Sequence, residues 1–114
     1  MIERRRFRRF NVALDANYMK VEGHATISSL ATIKNISLGG VCASLSKLVR
    51  KGDELMIEFK SPYNKSLAAL AKVQWVAPHE EERGSTCGLE FLWVTSKAVL
   101  GDYVSFGEEI SRVA

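Results

Sequence analysis

The residues best suited to bind a ligand are clustered at the amino terminus. Five of the eight arginines fall within the first nine residues, at Arg4, Arg5, Arg6, Arg8 and Arg9. A guanidinium group can bind a phosphate through two parallel hydrogen bonds, stack on a nucleobase, or pair with the O6 and N7 acceptors of guanine. A short basic run is most often a solvated tail, but Phe7 and Phe10 are interleaved here and the run leads directly into a predicted strand. We therefore expect residues 1–10 to form a basic arm tethered beside the folded domain.

The second candidate is the segment Asn35-x-Ser37-x-x-Gly40, for which two interpretations are open. In the first it is a structural turn, in which Asn35 and Ser37 bond nearby backbone groups and a glycine supplies a positive φ. In the second the two polar side chains point at a ligand, and Gly40 lets the backbone pass close to it. The segment alone favours the turn.

Taken together, the two segments resemble the signature of the PilZ domain family, Arg-x-x-x-Arg followed by Asp or Asn-x-Ser-x-x-Gly. Arg5-x-x-x-Arg9, with Arg4 before it, matches the first element, and Asn35-x-Ser37-x-x-Gly40 matches the second. The resemblance covers nearly the whole chain. It extends to the strand pattern, a closing helix, Val73-x-Trp75 and Gly88-Leu89-Glu90-Phe91.

This resemblance implies a small barrel that binds the bacterial second messenger cyclic di-GMP, commonly as an intercalated pair. It implies that Arg5 and Arg9, helped by Arg4, hold phosphates and guanine edges, with Arg6 as a further candidate. Without ligand the arginines repel one another, so we expect a mobile arm that ligand binding orders against the barrel. That ordering would alter the interaction with a downstream protein partner, whose identity the sequence does not give.

On the barrel side, the resemblance implies that Asn35 and Ser37 contact a guanine or a phosphate and that Gly40 shapes the turn. Asn35 offers guanine one carbonyl oxygen where Asp would offer two acceptors, so we expect weaker binding than with Asp. Trp75 could lie against a base. Its position continues the inward-facing series Leu67–Val73, however, so a core position is the favoured interpretation.

Alternation of apolar and polar residues predicts the elements that would position these groups. It indicates six short strands joined by tight turns, typical of a mainly β, six-stranded antiparallel β-barrel of the PilZ or split-barrel type. The second strand, from about Ala25 to Ile36, alternates imperfectly. The inward-facing sets are Phe10, Val12, Leu14, Ala16 and Tyr18; Val41, Ala43 and Leu45; Leu55, Ile57 and Phe59; Leu67, Ala69, Ala71, Val73 and Trp75; and Cys87, Leu89, Phe91 and Trp93.

Near residue 96 the period changes from two to that of a helix. We predict a C-terminal helix over about 96–113, capped by Thr95 or Ser96 and weakened by Gly101 and Gly107. Packing across the open end of the barrel is favoured over self-association. At 114 residues and 46% hydrophobic composition, the chain suits a single domain, which we place at 10–114.

Two other classes of binding protein fit the sequence less well. A single-stranded nucleic-acid-binding barrel would carry basic and aromatic residues along its strands, but here the arginines are confined to the arm and the formal net charge is only +3. No nucleic-acid partner is therefore expected. A ligand-independent PilZ-like protein adaptor is a poor match, because such relatives lack the arginine motif.

Catalysis and metal binding are not expected. His24 and His79 are isolated, Glu80–Glu82 suit a solvated hairpin loop, and Cys42 and Cys87 stand far apart in apolar runs. We therefore predict no enzyme activity, no metal and no cofactor besides the ligand. Residues 1–10 lack the apolar core of a signal peptide, and the longest apolar run is Leu67–Ala71. A cytoplasmic protein without membrane insertion is expected.

Overall fold

The computed structural model describes residues 8–21, 28–60, 65–79 and 84–113, with side chains described up to Glu109. Six antiparallel strands close into a barrel in the order β1-β2-β3-β6-β5-β4. The predicted six-stranded antiparallel barrel with a C-terminal helix is confirmed. The elements are β1 (Phe10–Lys20), β2 (Ser29–Ile36), β3 (Gly40–Leu45), β4 (Glu54–Phe59), β5 (Leu67–Pro78), β6 (Ser85–Val94) and α1 (Lys97–Val113).

The barrel interior is filled by the alternate apolar side chains of every strand. On β4, for example, Leu55, Ile57 and Phe59 are buried while Glu54 and Glu58 are exposed. This follows from the two-residue repeat of a strand, which sends successive side chains to opposite faces of the sheet. Most of the predicted inward-facing residues are buried accordingly.

Two β-bulges, one on β5 and one on β6, interrupt this alternation. Both tryptophans therefore lie on the face opposite to the one predicted from the sequence. Register shifts occur between Val73 and Trp75 on β5, and opposite Leu70 and Ala71 on β6. Each bulge inserts one unpaired residue, Gln74 on β5 and Leu92 on β6, so the following side chain changes face. Trp75 and Trp93, predicted to face the core, are 43% and 55% exposed on the outer surface.

The helix α1 begins after β6 with a hydroxyl side chain as its N-cap. Ser96 Oγ accepts the backbone N–H of Val99 at 3.1 Å, whereas Thr95 Oγ1 accepts the N–H of Ala68 at 3.1 Å and so belongs to the β5–β6 ladder. Of the two predicted candidates, Ser96 is therefore the N-cap of α1. Along the helix, Tyr103 is buried, and its hydroxyl donates to the carbonyl of Lys65 at 2.8 Å.

The two helical glycines differ in what surrounds them. α1 packs mainly on β1 and then on β2, and a Cβ added at Gly107 would lie 2.9 Å from Val12 Cγ1 and 3.0 Å from Phe10 Cβ. A Cβ at Gly101 would meet nothing within 4 Å. Gly107 therefore permits the close approach of helix and strand, whereas Gly101 only loosens the helix.

The turn into β4 is held by a carboxylate. Gly52 has a φ of 93°, and Asp53 Oδ2 accepts the N–H of Arg50 at 2.9 Å and lies 3.2 Å from Lys20 Nζ. Burial acts to raise the pKa of Asp53, but the Arg50 hydrogen bond and the Lys20 ammonium outweigh it and hold that pKa below its ordinary value of 3.8. The ionised carboxylate thus ties β4 to the end of β1.

We predict opposite effects of alanine at the two helical glycines. Gly101→Ala should stabilise the protein by about 0.5–1 kcal/mol, because alanine has the higher helix propensity and open space around it. Gly107→Ala should destabilise it, since overpacking typically costs about 1–3 kcal/mol and exceeds the propensity gain. Urea denaturation of both variants measures this. Equal effects at both positions would contradict the packing role of Gly107.

Asp53 should make the barrel sensitive to acid. Its pKa is lower folded than unfolded, so its contribution is complete above about pH 4, near the ordinary pKa, and is lost as the pH falls through the folded value. Asp53→Ala should lower the free energy of unfolding by about 1 kcal/mol at pH 7. The free energy of unfolding of this variant should also fall less than that of the wild type between neutral and acid pH.

The matched control for Asp53 is Asp102→Ala. Asp102 Oδ2 lies 2.6 Å from Lys65 Nζ, but both side chains are about half exposed, and such surface pairs contribute about 0–1 kcal/mol. Urea denaturation from pH 3 to 7 compares the variants. An unchanged pH dependence in Asp53→Ala would show that another group carries the acid transition.

Candidate functional site

A row of directly paired residues crosses four strands on the outer surface of the barrel. Asn35 pairs with Cys42, Cys42 with Gly88, and Gly88 with Trp75. Directly paired residues of adjacent strands present their side chains on the same face. The barrel therefore aligns two of the predicted site residues, Asn35 and Trp75, on one outer wall.

Trp75 lies against a position that has no side chain. A Cβ at Gly88 would overlap the indole Nε1 and come within 2.7 Å of Cδ1. Gly88 thus lets the indole rest on the backbone of β6 while Trp75 stays 43% exposed. An exposed indole supported on one side offers its open side for stacking with a planar ligand.

The turn between β2 and β3 is built around Ser37. Its Oγ accepts the N–H groups of Gly39 and Gly40 at 3.1 Å each and donates to the Gly40 carbonyl at 3.2 Å. Ser37 is 3% exposed. The hydroxyl therefore has the structural role that the turn interpretation assigns to it, and it fixes the backbone beside the outer wall.

Gly40 is required for a different reason from the one suggested by the sequence. Gly40 does not adopt a left-handed φ; Gly52 does. A Cβ at position 40 would overlap the carbonyl oxygen of Leu89 and approach Glu90 Cα at 3.2 Å. Gly40 pairs with Glu90 and thus permits β3 to pass close to β6, two residues from the Cys42–Gly88 pair.

Asn35 carries an unsatisfied acceptor. Its Oδ1 is buried and has no hydrogen-bond partner among the residues that the structure describes. Leaving a buried polar atom unpaired costs about 1–3 kcal/mol, so a rotation of the Asn35 side chain that let this oxygen accept a hydrogen bond from a ligand would recover that cost. No such atom was predictable from the sequence, because it depends on the bulge between Ile33 and Asn35.

A cleft of about 470 Å³ opens on the same wall, within the usual size range of small-molecule sites. It brings together Arg9, Ser37 and Trp75 of the predicted site residues, while Asn35 and Gly40 stand beside it rather than in its lining. Arg4, Arg5 and Arg6 lie outside the described residues. The cleft is lined by Arg9, Ser37, Leu38, Gly39, Gln74, Trp75, Gly88, Leu89, Glu90 and Phe91.

Several of these lining residues were not singled out as ligand contacts from the sequence. Leu38, inside the turn, is 50% exposed, an unusual position for leucine. Gly88 interrupts an apolar strand, and a glycine inside a strand often marks close approach of another group. Those two signals were available in the sequence. The contributions of Gln74 and Glu90 depend on strand pairing and were not.

The charge of the cleft is nearly balanced. Its charged lining residues are Arg9 and Glu90. Arg8, just outside, is exposed, and its guanidinium carbon lies 5.6 Å from the centroid of the Phe10 ring, a cation–π contact that holds the base of the arm to β1.

The buried thiol of Cys87 is not activated as a nucleophile. Burial, with Cys42 nearby adding to it, raises the pKa of the Cys87 thiol to about 12, so the thiol stays protonated and unreactive at neutral pH. His79 Nε2 lies 2.9 Å from Thr86 Oγ1. Within the described ranges no three side chains group as metal ligands. His24 and Glu80–Glu82 lie outside them.

None of the helices described is long and apolar enough to cross a membrane.

Gly88→Ala tests whether the indole of Trp75 rests on the backbone of β6 at Gly88. The added methyl group should displace Trp75 from β6, since a side chain moves more readily than a paired backbone. The chain has two tryptophans, so a Trp93→Phe background reports Trp75 alone. We expect red-shifted emission and stronger acrylamide quenching in Gly88→Ala.

The control in the same background is Gly101→Ala, which should leave the emission of Trp75 unchanged. Circular dichroism checks that each variant keeps its strands. Identical emission and quenching with and without the methyl group at position 88 would mean that the indole does not rest on Gly88.

Comparison with solved structures gives the same fold. The Bacillus subtilis inhibitor of motility, MotI/DgrA, matches with a TM-score of 0.75 and 19% identity over 97% of this chain, which corresponds to 54% of that protein's chain. The PilZ domain of YcgR from Escherichia coli, solved with c-di-GMP, matches with a TM-score of 0.73 and 16% identity, covering 96% of this chain and 95% of that one.

The sequence points in the same direction. No curated protein matches the chain. The family model described as PilZ domain matches residues 3–106, a range that includes the five N-terminal arginines, the turn around Ser37 and most of α1. The chain belongs to the PilZ domain family.

Proposed function

We propose that this protein is a non-catalytic receptor for cyclic di-GMP. The observation that carries the proposal is the outer-wall cleft in which Arg9, the Ser37 turn and the exposed face of Trp75 come together, next to the unsatisfied Oδ1 of Asn35. Cyclic di-GMP contains phosphates and guanines, and the cleft offers Arg9 for a phosphate or a guanine edge and Trp75 for a guanine face. The solved YcgR PilZ domain carries c-di-GMP on the same fold, which supports the choice of ligand.

Each candidate residue has a role that follows from its chemistry. Arg9 would bind a phosphate or the O6 and N7 edge of a guanine. Trp75 would stack on a guanine, and Asn35 Oδ1 would accept a hydrogen bond from its N1 or N2 donor. Ser37 and Gly40 act mainly by keeping the turn and the close passage of β3 beside β6.

The arm completes the site in this proposal. Because Arg9 and Glu90 nearly cancel within the cleft, binding a doubly negative ligand needs the arginines at positions 4–6 as well. Arg5 stands four residues before Arg9, a reach of at most about 14 Å of extended chain. Ligand binding would bring these guanidinium groups down onto the cleft, and the ordered arm would change the surface offered to a protein partner.

Calorimetric titration of cyclic di-GMP into the full chain tests the receptor. We expect saturable, micromolar binding, equivalent to about −8 kcal/mol. Arg9→Ala should weaken it by about tenfold or more, since hydrogen bonds to charged groups contribute about 1.5–3 kcal/mol. Arg50→Ala, an exposed arginine on a turn, is the matched control and should bind as the wild type does.

Two further readouts separate the parts of the proposal. Cyclic di-AMP and a short oligonucleotide should compete poorly, because adenine lacks the O6 acceptor and the strands carry no basic row. Trypsin should cut the arm at its arginines faster in the free protein than in the complex. No uptake of cyclic di-GMP at low salt would refute the receptor, whereas uptake without protection of the arm would refute only its ordering.

A further inference from the structure

A second row of paired residues on the outer surface consists of apolar side chains. Met19 pairs with Met56, Met56 with Leu70, and Leu70 with Trp93. The neighbours of Met56 and Leu70 along their own strands are buried, so these side chains face outward. We call Met19, Met56, Leu70 and Trp93 the apolar stripe.

The apolar stripe is accessible. Trp93 is 55% exposed and the adjacent bulge residue Leu92 is 46% exposed, while the other three members are half-buried. α1 packs near the start of β1, at Phe10 and Val12, and Met19 lies near the other end of that strand. A contiguous apolar row on the outer surface that includes an exposed tryptophan is typical of a protein-binding surface.

Acidic residues border the stripe on both sides. On one side the paired row is Glu54, Lys72 and Glu90. On the other side Glu58 pairs with Asn17 and Ala68. All four charged residues are exposed, so three glutamates and one lysine flank the stripe. A partner that covers the stripe must therefore present basic groups around an apolar centre.

The dimensions suit an α-helix. The stripe crosses four strands, and three interstrand spacings of about 4.8 Å give a length of about 14 Å. Three helical turns of about 5.4 Å rise about 16 Å and present apolar residues along one face. An amphipathic helix laid across the strands would match the stripe along its length and place its flanking side chains over the acidic rows.

We propose that the apolar stripe is the docking surface for an amphipathic helix of a protein partner with basic residues on both flanks. The proposal rests on the proposed function in taking this partner as the downstream target, but docking on the stripe itself needs no ligand. Glu90 and Phe91 line the cleft, and Leu92 and Trp93 follow on the same strand, so the two surfaces are adjacent.

The acidic borders argue against two other occupants. A membrane with anionic lipids would be repelled by Glu54, Glu58 and Glu90. A second copy of this chain would bring acidic borders against acidic borders, which costs free energy. Membrane binding and self-association each give a distinct result in the peptide-binding experiment.

The probe is a synthetic 18-residue helix with leucines at i, i+3, i+4 and i+7 spacing and lysines on both flanks, titrated into the full chain by calorimetry. A second peptide has glutamates in place of the lysines. We expect the basic peptide to bind about tenfold tighter or better than the acidic one. Trp93→Thr with Leu70→Thr should weaken that binding by about tenfold, whereas Leu30→Thr, at a 66% exposed leucine on β2, should not.

A charge-reversed protein sharpens the test. Glu54→Lys with Glu58→Lys should invert the preference, so that the acidic peptide binds better than the basic one. Cyclic di-GMP titrated into the same variants should bind as in the wild type, because none of the substituted residues lines the cleft. That result also shows that the variant barrels are folded.

Several outcomes would overturn the proposal. Equal binding of both peptides, or binding unaffected by Trp93→Thr with Leu70→Thr, would place the interaction elsewhere. Binding of the wild type to phosphatidylserine vesicles that depends on Trp93 would assign the stripe to a membrane. A dimer in sedimentation that dissociates on Trp93→Thr would assign it to a second copy. Failure of cyclic di-GMP binding alone would refute the receptor function and leave the docking result standing.

Discussion

The register of the backbone ladder is the constraint from which the other features of this structure follow. β1 pairs with β2 along one edge and with β4 along the other, so the six strands form a ring in which no strand can slip without disturbing its neighbours. That register aligns Asn35, Cys42, Gly88 and Trp75 in one outer row and the apolar stripe in another. Two surfaces of different chemistry therefore arise from a single pattern of hydrogen bonds.

Much of this architecture is predictable from the sequence because period-two alternation depends only on which side chains must be buried. Leu55, Ile57 and Phe59 illustrate it, since their spacing alone assigns them to the core. The turn around Ser37 was predictable for a similar reason, because its hydrogen bonds are local in sequence. Features that depend on one residue and its near neighbours are visible before the fold is known.

The bulges were not predictable in this way, and both functional rows depend on them. One extra residue on a strand, Gln74 or Leu92, has no signature in the apolar pattern, yet it turns the following tryptophan from the core to the surface. Trp75 fits at its exposed position because Gly88 has no side chain and so leaves room for the indole. The unsatisfied oxygen of Asn35 likewise depends on a bulge, between Ile33 and Asn35 in the pairing of β2 with β3.

Closure of the barrel also limits how a partner can be recruited. Each of the six strands is paired on both sides along part of its length, so within the described chain the barrel leaves only short strand segments to which another polypeptide could add by β-augmentation or from which a fibril could template. Recognition therefore relies mainly on side chains that project from the outer wall. A regulator of this kind can therefore acquire a new target through a few surface substitutions, while its hydrogen-bonded framework and core remain as they are.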